Sequence, residues 1–222
     1  MENIKLTYFN VNGRVGLIRA MLCYKKVAFE NKMITMEEWP KLKKDYEFHQ
    51  LPELEVNGKK MTQTIAICLY LARNLNLYPK DVYLQYHVDS LLAIRDDITP
   101  LYRKIKGKNE EDYKAYKEQI ILYLQKLENR YKELGEGKYY LGNELSVADF
   151  FLGCMITEFC FLVKDEDVLE KYSPGIKKLI NRLKENELKE YFEKYHNIFI
   201  FLIFLPYIFI DATSVFFIKL SI

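Results

Sequence analysis

Hydrophobic and polar positions change period along this chain, and the changes mark its elements. Ile4, Leu6 and Tyr8 fall on one face of a two-residue repeat with Lys5 and Thr7 on the other, which predicts a strand. Gly13 and Gly16 flank a turn into a helix carrying Ile18 and Leu22, and a second strand is expected across 28–34. Glu53-Leu54-Glu55-Val56 and Lys59-Lys60-Met61 read as two short strands about Asn57-Gly58, a pair that accepts the positive φ of a two-residue hairpin. The apolar stretch 65–71 then reads as a mostly buried helix with Gln63 or Thr64 near its N-cap. The order β-α-β, then β-β-α, predicts a small α/β sandwich.

Past Tyr78-Pro79-Lys80-Asp81 the pattern is helical. Pro79 biases Tyr78 away from the α region, so a short linker is expected there. Leu84, Val88, Leu91, Ile98, Leu101 and Ile105 follow three- and four-residue steps, and Pro100 is expected to bend that helix. A charged amphipathic helix is expected from about Glu110 to Leu134, stopped by Gly135-Glu136-Gly137. Ser146-Val147-Ala148-Asp149 reads as an acidic capping box, with Leu145 and Phe150 placed to staple it. The expected division is an α/β domain at 1–78, a linker at 79–83, an all-helical domain at 84–196 and an apolar extension at 197–222.

That extension opens with a run free of charge, 197–210, interrupted by Pro206; only Asp211 and Lys219 are charged in the whole segment. The run is short for a membrane span, which needs about 20 residues. Lengthening it to Ile218 would place Asp211 in the bilayer at about 2.5–3.5 kcal/mol. A C-terminal membrane anchor, an added helix over a pocket, and translated intron are the competing readings. Weak helical amphipathicity favours the last.

Composition narrows the function. The chain has 222 residues, 50% hydrophobic and 29% charged, a globular balance with ample length for a core. Its 33 Lys+Arg against 31 Asp+Glu leave a formal charge of +2, so no basic excess marks a nucleic-acid binder. Cys23, Cys68, Cys154 and Cys160 form no C-x-x-C pair and have no histidine at ligand spacing, which argues against zinc and against a dithiol centre. The opening Met1-Glu2-Asn3-Ile4-Lys5 lacks the basic-then-apolar pattern of a secretory signal, so a reducing, cytoplasmic setting is expected.

Chemistry is expected around Gln50-Leu51-Pro52 and Gln63-Thr64. A proline before a strand, cis if the turn is tight, could offer the backbone of Leu51 to an extended ligand. The helix start at Gln63-Thr64 offers unpaired amides and partial positive charge to a carboxylate. Together they outline a peptide-shaped site, although X-Pro turns and threonine caps also occur where nothing binds.

Five motifs then carry a resemblance. Tyr8-Phe9-Asn10-Val11-Asn12-Gly13-Arg14, Glu38-Trp39-Pro40 with Lys43, Leu51-Pro52 through Gly58, Gln63-Thr64 with Ala66-Ile67, and Ala148-Asp149-Phe150 appear in order. In these the chain, over about 3–196, resembles the sigma-class glutathione transferases, including the glutathione-dependent prostaglandin D synthases of that class. The resemblance implies a thioredoxin-like N-terminal domain followed by an all-α C-terminal domain, a homodimer, no tightly bound cofactor, and glutathione as co-substrate with a small hydrophobic electrophile.

Carried over by position, Tyr8 becomes the catalytic hydroxyl that hydrogen-bonds the glutathione sulfur; without the motif it would read as a core tyrosine. A hydrogen bond to a charged acceptor is worth about 1.5–3 kcal/mol and a pKa unit about 1.4 kcal/mol, so the thiol would drop by roughly 1–2 units. That makes it substantially thiolate, the nucleophilic form, near neutrality. Arg14 resembles the arginine that supports this thiolate, against a surface ion pair. Trp39 and Lys43 resemble the pair at the glycine end of glutathione, with Trp39 equally readable as an aromatic loop anchor.

Leu51 and Pro52 would present backbone to the peptide, and Gln63 and Thr64 would hold the γ-glutamyl carboxylate, threonine standing for the usual serine. Asp97 resembles the acid that reaches the neighbouring subunit's glutathione amine, against a solvated helix face; Asp96 reads as that solvated face. Related enzymes also place a divalent ion between such acids. Val11, Asn12, Gly13, Tyr102 and Ile105 are the expected electrophile pocket. Tyr102-Arg103-Lys104-Ile105 has no tryptophan where the prostaglandin D synthases carry one, and sigma-class chains usually finish near His196. The rival reading is a non-catalytic relative that keeps the fold and binds without turnover.

Overall fold

A computed structural model describes residues 3–105 and 109–195. The expected extension at 197–222 lies outside the described residues.

Strand β1 (Ile4–Phe9) lies at the centre of a four-stranded sheet ordered β2-β1-β3-β4. Its Ile4, Leu6 and Tyr8 are buried, and so is Thr7 on the opposite face of the strand. A turn of 3-10 helix, Gly13–Val15, leads into α1 (Gly16–Tyr24). Strand β2 (Glu30–Ile34) pairs parallel to β1, Tyr8 opposite Met33. It starts two residues later than the sequence suggests, because the Val27 amide still bonds the Leu22 carbonyl and finishes α1.

After β2 comes α2 (Trp39–Leu42), a short helix that periodicity did not reveal, and the Leu51-Pro52 bond beyond it is cis. Strands β3 (Glu53–Val56) and β4 (Lys59–Thr62) form the antiparallel hairpin, Val56 opposite Lys59, with Asn57 and Gly58 both at positive φ. Helix α3 (Thr64–Asn74) closes the first half.

The second half is helical. Helix α4 (Val82–Ile105) runs through Pro100, whose missing amide leaves the Asp96 carbonyl without its usual donor. Helix α5 (Glu110–Glu133) starts at Asn109, whose side chain accepts from the Glu111 amide. The expected capping box opens α6 (Val147–Phe151). A π-helical turn, Leu152–Ile156, joins it to α7 (Thr157–Phe161). Then follow α8 (Val168–Tyr172), α9 (Pro174–Glu185) and α10 (Lys189–Tyr195).

One apolar core joins the halves. Leu17, Ile18 and Leu22 of α1, Leu54 of β3 and Leu71 of α3 belong to the same buried cluster as Leu91, Phe150 and Tyr191 of the helical half. The Val147 amide donates to the Leu77 carbonyl across the boundary at 2.8 Å. The junction therefore holds its geometry by burial and a backbone bond, and it is there that the cleft opens.

Candidate functional site

The end of β1 delivers Tyr8 to the junction. The residue is 7% exposed. Its hydroxyl oxygen accepts a hydrogen bond from the Arg14 backbone amide at 3.4 Å. Burial raises the phenol above its ordinary pKa, with the Arg14 bond and the Arg14 and Arg95 charges working against the rise. At neutral pH the group is therefore a phenol, with its own hydrogen free to donate.

The loop after β1 is shaped for this contact. Gly13 sits at φ +32°, and a Cβ there would lie 3.4 Å from the Tyr8 oxygen. A side chain at 13 would thus meet both a strained backbone and the hydroxyl. From below, the buried Arg19 guanidinium holds the loop: it donates to the Val11 carbonyl, to Asn12 Oδ1 at 3.1 Å and to Asn31 Oδ1 at 3.2 and 3.3 Å. Asn12 is 3% exposed and its Oδ1 accepts from Arg19, so it braces the loop.

Beside Arg14 lies a cleft of about 240 Å³ lined by Phe9, Arg14, Trp39, His49, Gln50, Leu51, Pro52, Gln63, Thr64 and Arg103. Six of the glutathione-site candidates are thereby gathered on one surface: Arg14, Trp39, Leu51, Pro52, Gln63 and Thr64. Trp39 packs edge-on against Phe9, ring centroids 5.7 Å apart, and tilted against Tyr46 at 5.6 Å. It is a loop anchor and a cleft wall at once.

At the start of α3, Gln63 sits at φ 70° and supplies no side-chain cap. The buried Thr64 hydroxyl has no hydrogen-bond partner among the described residues. Thr64 lines the cleft at a helix N-terminus, whose unpaired amides and partial positive charge suit an anion. The cleft's cationic side chains are Arg14 and Arg103, and among the described lining residues none is acidic.

Other candidates fall elsewhere. Lys43 is exposed and outside the cleft lining. Asp97 is exposed, and its Oδ2 accepts from the Tyr123 hydroxyl at 3.2 Å; Asp96 pairs with Arg95 at 2.8 Å. Val11, Tyr102 and Ile105 are partly buried and packed against the core. Burial, followed by the nearby Glu158 charge, pushes Tyr102 up to about 12. Gln50, part of the expected Gln50-Leu51-Pro52 segment, is in the lining, whereas Phe9, His49 and Arg103 were not anticipated. Arg103 comes from the far end of α4 and reaches the cleft only by tertiary packing. All four cysteines are buried, and burial lifts Cys68 and Cys160 to about 12, far from nucleophilic.

A mixed four-stranded sheet with a cleft at a cis-proline and a helix start, joined to a helical half, is the architecture of glutathione-using transferases. Family profiles agree: "Glutathione S-transferase, N-terminal domain" matches residues 4–73, and "Glutathione S-transferase, C-terminal domain" matches 95–195. The chain belongs to the glutathione S-transferase family. It is similar to human hematopoietic prostaglandin D synthase, 30% identical over 177 residues, which cover 78% of this chain and 86% of that protein. Guinea-pig glutathione S-transferase A is 36% identical over 170 residues, 73% of this chain and 76% of the other. Among solved structures, rat hPGDS complexed with a quinoline superposes with a TM-score of 0.75 at 28% identity, covering 86% of this chain and 96% of that one. Monomeric Na-GST-3 of the hookworm Necator americanus gives 0.76 at 26% identity, covering 86% and 97%.

Proposed function

We propose that this chain is a sigma-class glutathione transferase in which Tyr8 ionises the thiol of bound glutathione. The observation that carries the reading is the Tyr8 phenol, kept protonated by burial and already accepting from the Arg14 amide. Tyr8 is not itself in the cleft lining, but its neighbours Phe9 and Arg14 are. Its remaining hydrogen is assigned to a sulfur bound beside them, since a thiolate accepts such a bond more strongly than a thiol. The Arg14 guanidinium adds positive charge beside the sulfur.

Glutathione fits the cleft in chemistry. The start of α3 and the Thr64 hydroxyl suit its γ-glutamyl carboxylate, and Gln63 lies at the same end. The backbone of Leu51 suits pairing with the cysteinyl unit. Trp39 lines the wall, and Lys43, exposed outside the lining, is assigned to the glycine carboxylate by its charge. Val11, Gly13, Tyr102 and Ile105 are assigned to the electrophile side. The reaction is conjugation of the thiolate to small hydrophobic electrophiles.

The same thiolate could isomerise a prostaglandin endoperoxide, and the similarity to hematopoietic prostaglandin D synthases favours testing it. A cytoplasmic homodimer is the proposed state. Exposed Phe48, Val82, Tyr83 and Tyr86 offer apolar surface for a second copy, while the similar hookworm protein is described as monomeric. No helix among the described residues is long and apolar enough to cross a membrane.

Haloarene conjugation by purified protein tests the reading. Tyr8→Phe removes a hydrogen bond to a charged acceptor, worth about 1.5–3 kcal/mol, so kcat/KM should fall about tenfold to a hundredfold with the fold intact. An unchanged rate in that variant would remove the assigned mechanism.

A further inference from the structure

The cleft draws on the two halves of the chain unequally. Among its described lining residues Arg103 alone comes from the helical half, from the last turn of α4; the others lie between Phe9 and Thr64. The helix start at Thr64, the Leu51 backbone and the Trp39 wall, which suit the parts of a tripeptide, all belong to the α/β half. What the helical half contributes is one guanidinium. A cation in the last turn also complements a helix C-terminus, but Lys104 does so from the same turn without lining the cleft.

Elsewhere in the described residues the arginines are engaged. Arg19 holds Asn31, Arg95 pairs with Asp96, Arg182 pairs with Glu187, Arg130 reaches Ser90 and Arg73 covers the Tyr78 ring. The two guanidinium groups in the cleft, those of Arg14 and Arg103, have no hydrogen bond, ion pair or ring contact among the described residues. No acidic side chain lines the cleft beside them. Like charges that share a space without a counter-charge favour the entry of an anion. The carboxylates of glutathione are assigned above to the start of α3 and to Lys43, and Arg14 to its sulfur, which leaves Arg103 for another anion.

We propose that Arg103 is a specificity-determining residue that recognises a carboxylate on the second substrate, so that the enzyme favours carboxylate-bearing electrophiles over their neutral analogues. The inference rests on the transferase reading given above. A guanidinium presents paired N–H donors that match the two oxygens of a carboxylate, and its charge persists at every working pH. The position suits that role: Arg103 stands between Tyr102 and Ile105 in sequence, both assigned to the electrophile side. The bond changes stay those of conjugation. On a haloarene the thiolate sulfur bonds to the carbon that bears chlorine, and chloride leaves with the electron pair of the broken bond. The carboxylate is held and takes no part in them.

The test compares a chloronitrobenzoate with the matching chloronitrobenzamide as substrates of the full chain at saturating glutathione, wild type against Arg103→Gln and Arg103→Lys. Each protein sees both compounds, so their unequal intrinsic reactivity and any shared effect on glutathione cancel when ratios are compared. The ratio of anion to amide kcat/KM should fall about tenfold in Arg103→Gln. It should recover in part in Arg103→Lys, which keeps the charge without the fork. In the wild type the ratio should decline as salt rises from about 20 mM to about 500 mM, while the glutamine variant responds much less. A ratio unchanged by Arg103→Gln overturns the inference alone, and so does an equal fall in both rates, which would make Arg103 a contact of glutathione or of the fold. Failure of the wild type to turn over either substrate overturns it together with the transferase reading.

Discussion

Single residues decide how the cleft recognises its ligand, and Thr64 is the clearest case. Thr64 lines the cleft and its buried hydroxyl lacks a partner among the described residues, a cost in stability that the proposed glutathione carboxylate would recover on binding. Thr64→Val keeps the shape and deletes the donor. The expected result is a rise of about tenfold in KM for glutathione with little change in kcat, since the lost bond exists in the ground state and transition state alike. Arg19 acts one layer deeper. Arg19→Ala would strand the Val11 carbonyl and the Asn12 and Asn31 side chains, and should lower unfolding stability by about 3 kcal/mol or more in a denaturant titration. The sequence announced Tyr8, Arg14 and Thr64 through short motifs, but not the role of Asn12, which depends on a guanidinium arriving from α1.

Elements were legible where their signals are local. Asn57-Gly58 sets a hairpin with its own backbone, and Ser146 to Asp149 close a helix start within four residues, so both stand where the sequence placed them. The capping carboxylate does more than its motif requires. Asp149 accepts from the Ser146 amide at 2.9 Å, and its other oxygen accepts from the Tyr140 amide at 2.8 Å. Asp149→Ala should therefore exceed an ordinary cap loss and cost about 2–4 kcal/mol, read as a lower urea midpoint. Less legible were α2, too short to show a period, and the end of α4. Arg103 and Tyr102 are neighbours in sequence, yet one lines the cleft and the other packs on the core. Only the packing of α4 against its neighbouring helices decides which does what.

At the scale of the whole molecule the two halves behave as one body. They share a single apolar cluster and the bond from Val147 to Leu77, so unfolding one exposes the buried face of the other. Loss of secondary structure and loss of aromatic side-chain order, followed by far- and near-UV circular dichroism, should coincide in one urea transition. Two separated transitions would mean the junction contributes little. One further consequence comes from Trp39, the only indole among 222 residues, standing in the wall of the cleft. Its emission can come from nowhere else, so a titration read at a single wavelength should register occupancy of that wall in unlabelled protein, whether or not any reaction follows.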